Sequence, residues 1–236
     1  MMNANTPRPP LGCSRSVDSN QQGPHEQLLS CVDKHRAHAF QKPIADFNQA
    51  AFNLAAQLYQ AHGGPLILDS CCGVGVSTRL LAEQHPDHLV LGLDRSAARL
   101  DKKLGPLPPN AHLIRTDLAD FWRLAATAGW QPEQHYLLYP NPYPKSKDLK
   151  LRWHGHPVFP SLLALGGRLI SRSNWLIYLQ EMEIALTHCG FAPRLTELPP
   201  QPQPLTAFER KYQLSGQTLW QIECRLDASP AAPSTQ

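Results

Sequence analysis

The residues best suited to chemistry begin with Asp69, which closes the apolar run Pro65-Leu66-Ile67-Leu68 and leads into Ser70-Cys71-Cys72-Gly73-Val74-Gly75. A carboxylate at the end of a buried strand accepts hydrogen bonds from an amino group or from hydroxyls. Gly73 and Gly75 let the backbone approach a ligand, and the helix start behind them, Ser77-Thr78-Arg79-Leu80-Leu81-Ala82, points free N–H groups at it. Asp94 ends the next apolar run, Leu89-Val90-Leu91-Gly92-Leu93, where it suits ribose hydroxyls, and Arg95 follows it. Asp117 and Leu118 follow a third run, His112-Leu113-Ile114-Arg115. There the acid either caps the next helix or accepts a bond from an adenine amino group. Acids at successive strand ends around a glycine turn fit a nucleotide-type cofactor.

A second cluster follows the fourth apolar run, His135-Tyr136-Leu137-Leu138-Tyr139. Pro140-Asn141-Pro142-Tyr143-Pro144-Lys145 is too proline-rich to continue a sheet. Asn141 can donate and accept hydrogen bonds, the prolines fix its direction, and Tyr143 offers a ring for a flat base. The plain alternative is a stiff surface loop. Lys145, Lys147, Lys150, Arg152, His154 and His156 come next, opposed only by Asp148. Beside a cofactor site these cations suit a phosphate backbone, with Trp153 as a further stacking surface; taken alone they read as a solvated face.

These residues need a scaffold, and the apolar pattern supplies one. Length, at 236 residues, suits one α/β domain with appendages. The 23 prolines gather in the tails and a few loops, marking where regular structure stops. Residues 1–24 are polar and proline-punctuated and are expected to form a disordered tail. His25 to Lys42 reads as a solvated helix or an arm for an anionic partner. From Ile44, the residues Phe47, Ala51, Leu54 and Leu58 follow amphipathic helical spacing, stopping near Gly63-Gly64 and predicting a helix that packs on the sheet through that stripe. Ser96 is expected to cap a short helix through Lys103, and Leu118, Phe121, Trp122 and Ala125 to form another apolar face. Val158 to Leu165 reads as a short helix. Trp175, Leu179, Met182, Leu186 and Cys189 mark a core-facing helix. Further strands are expected at Arg168–Ser171, Phe191–Leu198 and Thr218–Leu226. The result is an α/β fold: a doubly wound, seven-stranded, mostly parallel sheet with an antiparallel last strand, in one domain over residues 25–226, with a frayed tail over 227–236.

The net charge of +3 does not by itself prove a nucleic-acid partner. No apolar stretch approaches membrane-spanning length and no signal-peptide pattern is present, so a cytoplasmic protein is expected. The six cysteines form no C-x-x-C pair, which points to reduced thiols and no metal site.

The glycine turn with its two acids resembles the S-adenosylmethionine (SAM) site of class I methyltransferases, with Cys71 standing at the usual first glycine. A full G-x-G-x-x-G dinucleotide fingerprint is missing. Four motifs together resemble the bacterial tRNA guanine N7 methyltransferase family over about residues 44–226: Leu68-Asp69 with Gly73-x-Gly75, Pro140 to Lys145, Ser173-Asn174-Trp175 with Tyr178, and Thr206-x-Phe208-Glu209. The resemblance implies a SAM-dependent methyltransferase of the Rossmann-like class that acts on tRNA or another RNA, as a monomer or homodimer. It implies SAM contacts from Asp69, Cys71, Gly73, Gly75, Asp94, Arg95, Asp117, Leu118 and Asn141. It implies base or substrate contacts from Tyr143, Lys145, Asn174, Thr206 and Glu209, with Asn141 and Glu209 nearest the chemistry. This chain departs from the family where Pro-Asp-Pro-Trp becomes Pro140-Asn141-Pro142-Tyr143 and Thr-Asp becomes Ser173-Asn174. Two carboxylates have thereby become amides. Slower N7 transfer, transfer to an exocyclic amine of adenine or guanine, and RNA binding without catalysis are the three outcomes that fit.

Overall fold

The computed structural model describes residues 14–102 and 104–227. Its centre is β1 (Leu66–Ser70), every residue of which is buried. β2 (Leu89–Asp94) lies on one side, followed by β3 (Ala111–Arg115). On the other lie β4 (Gln134–Leu138), β5 (Arg168–Ser173), β7 (Leu219–Arg225) and β6 (Arg194–Leu198), giving the order β3-β2-β1-β4-β5-β7-β6. β1 pairs parallel with both β2 and β4, and β7 inserts antiparallel between β5 and β6. This is the expected doubly wound sheet. Its consequence is that the ends of β1, β2, β3, β4 and β5 share one edge, where an open α/β sheet binds its ligands.

Helices α1 (Leu28–Ala37), α2 (Asp46–His62), α3 (Val76–Gln84), α4 (Ala97–Leu100), α5 (Leu118–Thr127), α6 (Phe159–Ala164), α7 (Leu176–His188) and α8 (Ala207–Leu214) complete the layers. The α7 stripe is core-facing as predicted: Trp175, Leu179, Met182, Leu186 and Cys189 are all buried. α1 resolves the His25–Lys42 alternatives toward a helix with one docked face, since Leu28, Cys31 and Val32 are buried. Ser70 Oγ is hydrogen-bonded to His135 Nε2 at 2.8 Å and accepts the Trp122 indole N–H, tying β1, β4 and α5 together.

Three expectations need correction. α2 is present, but its buried face is Asn48, Phe52 and Ala55, while Phe47 and Leu54 are about half exposed. Phe52 packs against Phe121 and Trp130. Asn48 donates to Asp120 and accepts from the Asp117 N–H, so distant partners rotate the helix: Ala51 and Leu58 of the expected stripe still pack against the core, while Phe47 and Leu54 do not. The helix predicted through Lys103 is a single turn ending at Leu100, and Lys103 lies outside the described residues. The expected disordered tail is ordered over residues 14–24, which lie along the body: Ser14 N–H donates to Ser215, Ser19 Oγ to the Pro144 carbonyl, and Gln21 Nε2 to Glu181. These bonds tie the segment to the end of α8, to the loop after β4 and to α7. Residues 1–13 and 228–236 of the two expected tails lie outside the described residues.

Candidate functional site

At the end of β1 the chain reverses through Cys71, Gly73 and Gly75, with φ of 65°, 62° and 81°. Cys71 therefore holds a left-handed conformation that glycine adopts without cost, a strain of the kind stored at functional sites. A side chain at Gly75 would bring its Cβ within 2.8 Å of Leu113, so the α3 start packs closely on β3 only with glycine there. A Cβ at Gly73 would meet nothing within 4 Å, which leaves open space against the backbone. Burial pushes the Cys71 thiol up to about 12, and the nearby Asp94 adds to it, so the group is a neutral thiol and no nucleophile.

Asp69 is fully buried, and one of its oxygens, Oδ2, accepts from Ser77 Oγ at 2.7 Å and Thr78 Oγ1 at 2.6 Å. Its other oxygen, Oδ1, is buried without a partner. Burial pushes its pKa up to about 6, against hydrogen bonds from Ser77 and Thr78 that pull it down; Asp94 pushes it further up. An orphaned carboxylate oxygen beside an open glycine turn fits a ligand ammonium group. The raised value carries a sign for stability. The native carboxyl keeps its proton over a window, from about pH 4 to 6, in which the unfolded chain has lost it. Stability is therefore lost as pH rises through that window, by about 3 kcal/mol in all. Asp69→Asn removes this dependence. In urea titrations of the ligand-free proteins, the variant's stability relative to the parent should rise by about 2 kcal/mol between pH 4.5 and 8. Parallel pH profiles would contradict the assignment.

Asp94 is nearly buried and receives the Gly73 N–H on Oδ2 at 3.0 Å and the Ser96 N–H on Oδ1 at 2.8 Å, with Arg99 at 3.5 Å. It thus fastens the glycine turn to β2, and a carboxylate has lone pairs beyond those used. Arg95 beside it is exposed. Asp117 caps α5, its Oδ1 accepting the Ala119 N–H at 2.9 Å, while Leu118 turns its side chain into the core.

The β4 loop lies next to this turn because β1 and β4 are paired neighbours. Tyr139 and Tyr143 hold φ of 49° and 45°, so the segment 139–143 is doubly kinked. Asn141 is exposed, with a long contact of 3.4 Å from the Tyr143 N–H. The loop is held from behind by Arg152: its Nε donates to the Tyr143 carbonyl at 3.1 Å and one Nη to the Lys145 carbonyl at 3.2 Å. Arg152 is itself fully buried and bonded to Glu181 at 2.6 Å, and Glu181 also pairs with His154 at 2.8 Å. The expected stripe of six cations is thereby corrected. Arg152 and His154 face a buried acid, leaving Lys145, Lys147 and Lys150 exposed. Glu181 is the clue that pattern reading passed over, an acid three residues from Tyr178 on the core face of α7. Such a group is found buried only with partners.

At the end of β5, Asn174 Nδ2 donates to Gln217 at 2.9 Å, and Gln217 donates to the carbonyls of Ser14 and Arg15. Thr206 caps α8 by accepting the Glu209 N–H at 2.9 Å. The Glu209 carboxylate is fully buried. It holds Arg172 at 3.0 and 3.1 Å, accepts from Tyr139 Oη at 3.1 Å, and accepts the Leu205 N–H at 3.3 Å. Glu209 therefore stands behind the site, joining β4, β5 and α8. The spacing Thr206-x-x-Glu209 is a capping-box pattern, a signal that could have identified α8 from sequence. The structure brings Asp69, Cys71, Gly73, Gly75, Asp94 and Asp117 to one edge of the sheet, and Asn141, Tyr143, Lys145, Asn174 and Thr206 to the loops of that same edge. A cavity of about 490 Å³, lined by Leu54, Arg79, Leu107 and Leu113 among others, lies off the open side of β3, away from the β4 loop.

Residues 63–222 match the model of a family described as "Putative methyltransferase". The tRNA (guanine-N(7)-)-methyltransferase of Treponema pallidum (strain Nichols) is 26% identical over 168 residues, 67% of this chain and 66% of the relative, so the match spans just under two thirds of that protein. The Nitrosospira multiformis protein of the same name is 23% identical over 225 residues, covering 86% of this chain and 96% of the relative. Among solved structures, a variant of the 16S rRNA (adenine(1408)-N(1))-methyltransferase from Catenulisporales acidiphilia with its cosubstrate SAM aligns over 77% of this chain and 93% of its own. Its TM-score is 0.54 at 15% identity. The 16S rRNA methyltransferase KamB aligns over 78% and 95%, with a TM-score of 0.51 at 17% identity. These structural likenesses establish the fold.

Proposed function

Since the chain belongs to the methyltransferase family that its residues 63–222 match, as a divergent member, we propose that it transfers a methyl group from SAM to RNA, with guanine N7 in tRNA as acceptor. The observation that carries this reading is the placement of the Pro140–Lys145 loop on β4, immediately beside the Asp69–Gly75 turn on β1. Bound there, SAM supplies a methyl group on a positively charged sulfur. Asp69 Oδ1 would take its ammonium, Asp94 the ribose hydroxyls, and Asp117 with the backbone around Leu118 the adenine edge. Gly73 and Gly75 would let the turn lie against it, with Cys71 shaping the same turn and Arg95 flanking the ribose.

Guanine N7 carries an exposed lone pair, so the acceptor needs no general base. It needs alignment behind the bond to be broken. Asn141 would hold the base edge, with Tyr143, Lys145, Asn174 and Thr206 around it. Glu209 contributes by position. Its bonds to Arg172 and Tyr139 fix the ends of β5 and β4, and Arg172 neutralises its charge.

The test is to incubate the purified protein with methyl-labelled SAM and bulk tRNA, digest to nucleosides and separate them. Label in 7-methylguanosine is expected. A second reading draws on the amides that replace both family carboxylates, Asn141 in this loop and Asn174 at the end of β5: an exocyclic amine is the acceptor, and Asn141 Oδ1 accepts a hydrogen bond from its N–H. Label in N-methyladenine or N2-methylguanine would select that reading. RNA binding without label would leave a non-catalytic relative.

A further inference from the structure

Beside the site just described, a run of aromatic rings leads from the β4 loop to the surface, and its outer two, Tyr212 and Phe208, have no part in the proposed transfer. Tyr139, the residue before Pro140, has its ring centroid 5.6 Å from that of Tyr212 on α8. Tyr212 is stacked on Phe208 at 6.2 Å with 25° between planes. Phe208 is 51% exposed although it stands on a helix with a packed side. Lys211, one turn on from Phe208, is exposed, as is Arg210, and neither forms an ion pair among the described residues. The one acid of α8, Glu209, is buried against Arg172. The exposed side of α8 thus carries one large ring packed on a second, with the unpaired cation of Lys211 one turn on and the exposed Leu214 at the far end of the helix.

We propose that Phe208 is a stacking platform for an unpaired nucleotide of the RNA next to the one being methylated, with Lys211, three residues on and on the same helix face, meeting its phosphate. The inference rests on the reading of the chain as an RNA methyltransferase and adds a subsite to it. Every base has a face that stacks on a fixed aromatic side chain, and the backbone that carries it needs cations at the rim. An apolar protein partner would instead call for a broad contiguous patch, whereas the exposed Phe208 and Leu214 stand six residues apart with Arg210 and Lys211 between them. Tyr139 ends the run at the acceptor loop, and through Glu209 it is bonded to the start of α8, so the platform is held in register with the site.

The experiment measures binding and turnover separately. Filter binding of tRNA and of a short single-stranded oligoribonucleotide to Phe208→Ala should be weaker than to the parent by about tenfold. The KM for tRNA should rise by a similar factor, with kcat, the KM for SAM and the thermal midpoint unchanged. Phe208→Trp should restore affinity, and its added indole emission should be quenched by RNA. Parent-like RNA affinity in Phe208→Ala, with the parent binding RNA, would overturn the platform and leave the RNA reading intact. A parent that binds no RNA would overturn both.

Discussion

Replacing Glu181 by alanine is expected to destabilise the protein by about 3–5 kcal/mol, since it leaves a fully buried guanidinium without its counter-charge. Glu181 accepts from Arg152 Nη1, His154 Nε2, Gln21 Nε2 and the His25 N–H, and none of its side chain reaches solvent. Burial pushes its carboxyl up, but the bonds and charges of His154 and Arg152 prevail and hold it down at about 2. For a carboxyl lowered in the native state, the stabilisation is present above about pH 4.5 and is lost as pH falls toward 2. Urea unfolding at pH 7 measures the loss. Combining Glu181→Leu with Arg152→Met should recover most of it, because no unpaired charge then remains.

Stability is only half of the expected result. Arg152 also carries the carbonyls of Tyr143 and Lys145, and Gln21 reaches the same hub from the N-terminal segment. The repaired double variant should fold yet bind RNA poorly, with a raised KM for tRNA and an unchanged KM for SAM. If that variant turned over tRNA like the parent, the hub would be a fold element with no hold on the loop.

Restoring one carboxylate, Asn141→Asp, is expected to raise the rate of N7 transfer by about tenfold or more. As N7 attacks, positive charge passes to the purine, and a carboxylate at its edge stabilises that charge where an amide does not. The gain is set below the hundredfold typical of enclosed sites because Asn141 is exposed and solvent screens the new charge. Glu209 cannot supply the same field, being buried against Arg172. Single-turnover methylation with excess protein measures the chemical step directly, and nucleoside separation checks that the product is still 7-methylguanosine. An unchanged single-turnover rate would show that missing charge is not what limits this protein.

Much of this architecture was legible in the chain because it is written locally. The strands at Leu66–Ser70 and Leu89–Asp94 are short continuous apolar runs, and the turn after the first is a cluster of small residues. An acid at a strand end lands at the sheet edge whatever packs on the faces, which is why the positions of Asp69, Asp94 and Asp117 follow from the sequence. The stripe from Trp175 to Cys189 was equally plain, since nothing competes for it.

What only the tertiary structure decided depends on partners far away in sequence. α2 shows its Phe47 and Leu54 to solvent because Asn48 is claimed by Asp120 and by the N–H of Asp117, about 70 residues on. Arg152 and His154 look like members of a cationic surface until Glu181 of α7 is seen beneath them. Asn141 and Asn174 could be read as substitutions of charge, but the neutralisation of Glu209 by Arg172 could not. An ion pair across 37 residues leaves no trace in periodicity or spacing. By itself the sequence determined the sheet, the glycine turn with its acids at one sheet edge and the proline loop that follows β4, because secondary structure and turn chemistry are short-range. Which of the charges near that edge stay free was decided by long-range pairing in the folded core, Arg172 with Glu209 and Arg152 with Glu181.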